Sequence, residues 1–335
     1  MEKSEGPLPA ALMLPWLADN EAFQRELQAR DGRLRNLAPI RAQIANRIRT
    51  AESAEPCALG AVDAASILVG FGDQLSILLQ VIHVEADGTP TIGSPQRVTG
   101  IDGQELRMAI TPMRVAAECE ALAKVPNPTI ADTSYWSFLM EVNQAITRRE
   151  HNSSLPVFED TVRRLVDNGA FLAMVQNPCV VPMSKISQSD TYIPGVSDRH
   201  VLGQILSPGE FVSARPLTDG TTGSFGIEKR RWKAWERDLL DDLYKNSLGV
   251  VFYKPHPWTR AYRIEGHLGR LHDDAWLMPL LAAIKAQTAV AREVIEPWPQ
   301  FMADYIAKKI SAIGELYGEC NWHRSPNSNY LRHRT

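Results

Sequence analysis

The sequence predicts an α/β fold: a mixed sheet flanked by helices, with a helical segment before it and a helical elaboration after it. Three observations point there. Residues 57–99 read as strands separated by turns. Residues 113–175 alternate between helical and strand patterns. Two apolar runs, Cys57-Ala-Leu-Gly-Ala-Val-Asp63 and Pro128-Thr-Ile-Ala-Asp132, each end on an aspartate.

Taken in order, Phe23, Leu27, Leu34, Leu37, Ile40 and Ile44 recur at roughly helical spacing over residues 17–50, with Pro39 kinking or dividing the helix. That helix packs on its own domain or faces a partner. The core begins near Glu55. A short strand spans 57–63, and Gln74–Glu85 is rich in strand formers. Asp87-Gly88 is a hairpin signal, and 91–99 follows as a third strand. A helix covers Met113–Lys124 with Pro112 at its first turn, and a strand ends at Asp132. Helices fill 134–150 and 157–168, Gly169 is a stop, and Ala170–Val175 reads as a buried strand. Three antiparallel strands, then helix, strand, helix and strand, is the order of the ribonuclease H-like fold.

Residues 176–226 are rich in Ser, Pro, Gly and Asp and read as irregular apart from a short helix near 198–206. Beyond them come a charged helix at 228–246, strands at 248–254 and 259–265, and a helix at 273–292. A last helix starts at Pro297 and runs to about Tyr317, with Gly318 as its stop. The domain division is therefore 1–54 as an N-terminal helical segment, 55–320 as the main domain and 321–335 as a basic tail.

With 44% hydrophobic and 22% charged residues, the 335-residue chain has the composition of a soluble globular protein. A net charge of -3 argues against a generic basic coat for nucleic acid, but not against an enzyme with one basic channel. Cys57, Cys119, Cys179 and Cys320 are scattered, which fits neither a zinc ribbon nor a thioredoxin-like motif. Reduced thiols and a cytoplasmic location follow. The first apolar run is broken by Pro9 and Pro15, unlike a secretory signal, and no stretch is long enough to span a membrane.

Burying an unpaired carboxylate is costly, so an apolar run ending in Asp asks for a partner. Strand-Asp, helix-Glu, strand-Asp points to a metal site, and metal plus water is the chemistry of phosphodiester hydrolysis. Taken singly, either Asp reads equally as a polar strand end or a helix cap. Helical geometry leaves two glutamates open: Glu118 shares a face with Val115 and Leu122, Glu120 with Ala116 and Ala123. Trp232, Trp235, Trp258, Trp276 and Trp298 suit base stacking or burial between helices. His256, His267 and His272 lack zinc-ligand spacing.

Five pieces, in order, resemble the NurA nuclease family, the partners of the HerA translocase. They are Ala61-Val-Asp-Ala-Ala-Ser66, Met113-Arg114 with Glu118, Ile130-Ala-Asp-Thr-Ser134, Tyr262-Arg-Ile-Glu265, and Pro297-Trp-Pro-Gln-Phe-Met-Ala-Asp304 running into Ile306-Ala-Lys-Lys-Ile-Ser311. The resemblance spans roughly residues 55–320. Ala64 and Thr133 stand where the family has glycine, and Asp304 where many members have histidine. An aspartate there favours a hard ion such as Mg²⁺ or Mn²⁺.

The resemblance implies that Asp63, Glu118 (preferred to Glu120 for the preceding Arg114), Asp132 and Asp304 are catalytic ligands of two Mn²⁺ or Mg²⁺ ions, with Asp63 between them. It also implies a homodimer around a DNA channel, 5′-to-3′ exonuclease and endonuclease activity, and docking onto a hexameric HerA-type ATPase. The role would be DNA end resection in repair or anti-phage defence. The chain itself has no Gly-x-x-x-x-Gly-Lys-Ser/Thr loop. Lys308 meets a phosphate or forms an i,i+4 pair with Asp304, Arg263 meets DNA phosphate or a carboxylate, and Tyr305 meets a ligand or the core. Two rivals stand beside this reading: a non-catalytic DNA clamp that regulates the ATPase, and an RNA-directed nuclease of the same fold.

Overall fold

A computed structural model describes residues 37–71, 74–100, 103–151, 156–184, 190–217, 232–288 and 296–324. The helix expected over 17–36, the ends of the expected helices at 228–231 and 289–292, and the tail from 325 lie outside these residues. The first half of the chain runs α1 (Ala38–Ile44), β1 (Ile48–Thr50), β2 (Gly60–Phe71), β3 (Gln74–Val84), β4 (Pro90–Ile92), β5 (Gln96–Gly100), α2 (Gly103–Leu122), β6 (Thr129–Ala131), α3 (Tyr135–His151) and α4 (Pro156–Val162). The second half runs α5 (Ala170–Gln176), β7 (Val180–Pro182), α6 (Asp198–Ile205), β8 (Glu210–Pro216), α7 (Ala234–Asp242), β9 (Leu248–Tyr253), β10 (Tyr262–His267), α8 (Leu268–Leu271), α9 (Asp274–Thr288) and α10 (Trp298–Arg324).

Six strands form the first sheet, in the order β4-β3-β2-β6-β7 with β5 also paired to β3. β2 and β3 pair antiparallel from Ala61↔Val84 to Phe71↔Gln74, while β6 and β7 run parallel to β2. The hairpin after β3 turns at Gly88 (φ 86°), where Thr89 N–H donates to Asp87 Oδ1 at 2.8 Å. This is the ribonuclease H-like arrangement that the element order predicts. The second sheet, β1-β8-β9-β10, is antiparallel throughout, and every residue of β9 is buried.

Alternation along β2 decides which helix covers which face. Ala61 and Ala65 pack with Ala303 and Ala307 of α10, whereas Ala64 packs with Ala109, Met113 and Ala117 of α2. Small residues on both partners let the helices lie close to the sheet. Larger neighbours such as Leu59, Ile82, Val84 and Ile130 are fully buried, each contributing about 1.5–3 kcal/mol by leaving water. Among the described residues no helix is long and apolar enough to cross a membrane.

Several elements differ from their sequence reading. β2 does not end at Asp63 but runs on to Phe71. Residues 45–50 form a 3-10 turn and the edge strand β1 instead of continuing a helix. α2 begins at Gly103, so Pro112 lies inside it. A proline there cannot bond the carbonyl four residues back; Arg148 Nη1 donates to that carbonyl, Met108 O, at 2.8 Å. Ala170–Gln176 is a helix, entered from left-handed Gly169 (φ 72°). The stretch read as irregular holds β7 and β8 as well as α6, and α10 passes through Gly318 to Arg324.

Candidate metal centre

Strand register places the two aspartates. β6 pairs with β2 only over Gly60↔Thr129, Ala61↔Ile130 and Val62↔Ala131. The next residues are Asp63 and Asp132, level with each other on adjacent strand lines about 4.8 Å apart. Beyond Val62 that edge of β2 is open because β6 has ended. Asp63 takes one exposed donor of this edge itself, accepting from Ala64 N–H at 2.7 Å.

Into this notch α2 brings Arg114 and Glu118, one helical turn apart. Arg114 Nη2 lies 3.2 Å from Asp63 Oδ1 and 3.6 Å from Glu118 Oε1, and the side chains of both carboxylates are 14% exposed. Glu120, two residues on, accepts two hydrogen bonds from Arg164 at 2.8 and 2.7 Å. From the other face α10 supplies Asp304, paired with Lys308 Nζ at 2.7 Å. A cavity of about 320 Å³ is lined by Asp63, Ser66, Arg114, Asp304, Lys308 and Ser311, among others. A larger cavity of 530 Å³ beside Asn246, His267 and Arg270 has one carboxylate, Asp273, and therefore no comparable concentration of negative charge.

Crowded carboxylates show in the titration of the notch. Burial pushes Glu118 up from 4.5 to about 8; Arg114 opposes this, while Asp63 and Asp132 add to it. Asp63 is also raised, mainly by burial, with Arg114 and the Ala64 N–H opposing and Asp132 and Asp304 adding. Asp63 thus lies within electrostatic reach of Glu118, Asp132 and Asp304, and Glu118 within reach of Asp132. Arg199 stands nearby: its pKa is lowered by burial, with Asp132 and Glu296 among the charges that oppose the shift.

Among the described residues, no three His, Cys, Asp or Glu side chains are drawn together closely enough to hold an ion as they stand. The fit to a metal is one of donor chemistry and charge. All four donors are carboxylates; Arg114 pairs with Asp63 and Glu118, and Lys308 with Asp304. An oxygen-only, electron-rich and partly dry set suits a hard divalent ion. Binding one would require Glu118 to lose its proton.

The remaining candidates sort differently. Arg263 Nε donates to Glu265 at 2.7 Å, with side-chain exposures of 13% and 1%. Glu265 in turn accepts from Tyr135 N–H, at the start of α3, at 2.8 Å. Lys308 is 75% exposed at its side chain and free to reach outward from Asp304. Tyr305 is exposed, stacked on Phe301 with Lys309 over its ring. Trp232 is buried, whereas Trp235 and Trp258 are exposed. Ala64 and Thr133 need no glycine, because no non-glycine residue among those described has positive φ.

Sequence reasoning missed Gln300. It is 3% exposed and donates from Nε2 to Asp132 Oδ1 at 3.0 Å. The signal was present: Gln300, Asp304, Lys308 and Ser311 recur at helical spacing on α10 beside buried Ala303 and Ala307.

Neither a family model nor a curated protein matches the sequence. Solved structures do. The chain is similar to the NurA nuclease from Sulfolobus solfataricus, with 12% identity, a TM-score of 0.59, and coverage of 92% of this chain and 98% of that one. It is similar to NurA with manganese, at 10% identity, TM-score 0.53 and coverage of 87% and 95%. NurA bound to dAMP and manganese gives 10% identity, TM-score 0.52 and coverage of 86% and 93%. The chain therefore has the fold of the NurA nuclease structures along nearly its whole length.

Proposed function

We propose that this protein is a divalent-metal-dependent deoxyribonuclease. The observation that carries the reading is the notch where β6 ends beside β2, with Asp63 in electrostatic reach of Glu118, Asp132 and Asp304. Support comes from the likeness to nuclease structures that hold manganese and dAMP. Asp63 would lie between two ions, Glu118 and Asp132 would hold one each, and Asp304 would complete the set. Bound Mn²⁺ or Mg²⁺ supplies an activated water and stabilises the leaving oxygen.

The chain's own groups do the rest. Arg114 steadies Asp63 and Glu118, and Lys308 offers an exposed cation to a DNA phosphate. Arg263 was the other candidate phosphate contact; we assign it instead to neutralising Glu265, which it already meets. Residues 55–320 form the nuclease unit in this proposal, with 1–54 added before it and a basic tail after it. A homodimer around a DNA channel, 5′-to-3′ exonuclease and endonuclease activity, and docking onto a HerA-type hexameric ATPase complete the reading. Its setting would be DNA end resection or anti-phage defence.

The test is degradation of linear DNA by the purified chain with Mn²⁺, with Mg²⁺ and with chelator, beside Asp63→Ala. Substrates labelled at either end report polarity. Metal-dependent cleavage by the wild type and none by the variant is expected. The rival reading, a DNA clamp without catalysis, draws on Arg114 bridging Asp63 and Glu118; DNA binding with equal inertness of both proteins would establish it.

A further inference from the structure

The partners of the four acidic residues in the notch include one neutral side chain, Gln300. Asp63 and Glu118 share the Arg114 guanidinium, and Asp304 has the Lys308 ammonium. Asp132 Oδ1 accepts from the neutral carboxamide of Gln300 at 3.0 Å, and the same nitrogen lies 3.4 Å from Met183 O at the end of β7. Gln300 sits on the first turn of α10, one turn before Asp304 and on the same side of the helix. Its Oε1 is buried with no hydrogen-bond partner among the described residues. A buried amide left half satisfied costs stability, so packing alone does not account for it.

We propose that Gln300 is a positioning residue for metal binding: its amide orients the Asp132 carboxylate toward the divalent ion without adding positive charge that would compete with that ion. The inference rests on the nuclease reading above. An N–H donor fixes one carboxylate oxygen and leaves the anionic charge in place. Outer-shell partners of this kind change metal affinity by roughly 10–100-fold when removed. Because Gln300 and Asp304 share one helix, the same α10 both orients one carboxylate and supplies another.

The experiment is Mn²⁺ binding to the full chain without DNA, read by the electron paramagnetic resonance of free Mn²⁺. Wild type, Asp63→Ala, Gln300→Met and Gln300→Glu are compared, with thermal unfolding of the metal-free proteins alongside. Methionine keeps the volume and removes the donor; glutamate places an acceptor against an acceptor. The expected result is Mn²⁺ binding by the wild type, weakened roughly 10-fold in Gln300→Met and more in Gln300→Glu. A lowered unfolding midpoint with unchanged Mn²⁺ affinity in Gln300→Met would show a purely structural amide and overturn the proposal. Wild-type binding that Asp63→Ala does not diminish would instead overturn the nuclease reading, and this inference with it.

Discussion

Around the four-stranded sheet, buried carboxylates meet arginines: Glu265 with Arg263, and Asp198 with Arg215. Glu210, nearer the surface, has Arg41. In the notch of the six-stranded sheet, Arg114 meets both Asp63 and Glu118, Lys308 meets Asp304 and the neutral Gln300 meets Asp132, with Arg199 at longer range. A buried carboxylate paired with an arginine holds the fold at little net cost, whereas within the notch Asp63 raises the pKa of Glu118, and Asp132 raises that of both. The same side-chain chemistry therefore serves structure around one sheet and, in the proposed function, recruitment of a metal ion beside the other.

The sharpest way to break this contrast is Asp63→Ala, which should abolish metal-dependent DNA cleavage while circular dichroism stays that of the wild type. Cleavage that survives would remove the six-stranded sheet from the chemistry. Glu265→Ala should do the opposite, lowering stability by about 3–5 kcal/mol in urea unfolding, because it strands the buried Arg263 charge. A loss below 1 kcal/mol would mean that the matched pairs are not holding that layer.

Glu118→Gln separates the two effects within one residue. Between an ordinary carboxylate value of 4.5 and the raised value of about 8, folded Glu118 keeps a proton that the unfolded chain has released. Its contribution to stability therefore declines as pH rises through that window. The amide cannot ionise, so the metal-free variant should lose less stability over this range, ending roughly 2–4 °C above wild type in midpoint at the upper end. It should also fail to be stabilised by Mn²⁺. Parallel pH profiles for the two proteins would refute the desolvated carboxylate. The smallest effect belongs to Glu120→Ala, which breaks the partly exposed pair with Arg164. About 1 kcal/mol of stability should go, with DNA cleavage unaltered.

Much of the fold was legible because its strands advertise themselves. The hairpin at Asp87-Gly88, the strand ending before Asp132 and the apolar β9 all stand where period and turn chemistry put them. What misled was apolar or polar content without period. Ala170-Phe-Leu-Ala-Met-Val175 is buried at nearly every position, so the run carries no face by which helix and strand could be told apart. Asp63 looked like a strand end because a charge in a strand usually marks its limit; here an open edge, Ala64 N–H and Arg114 accommodate it. Pro112 looked like a helix start, since nothing local announces that Arg148 will take up the carbonyl it leaves unbonded. In the notch, Asp63 and Asp132 were singled out by the apolar runs they close, and Glu118 and Asp304 by the family resemblance. Gln300 was not, because an amide gains meaning only from the carboxylate that folding sets against it.

Glu265 extends from β10 to the first turn of α3, across 130 positions of sequence. The loop carrying Asp132 leads directly into that turn, so its placement depends on where β10 holds Glu265 relative to α3. A residue inserted before β10, harmless by itself, would shift the clamp and move an intact carboxylate out of range. Tolerance to length changes in this protein is therefore set by the spacing between β10 and α3, and not by how near an insertion lies to the acidic cluster.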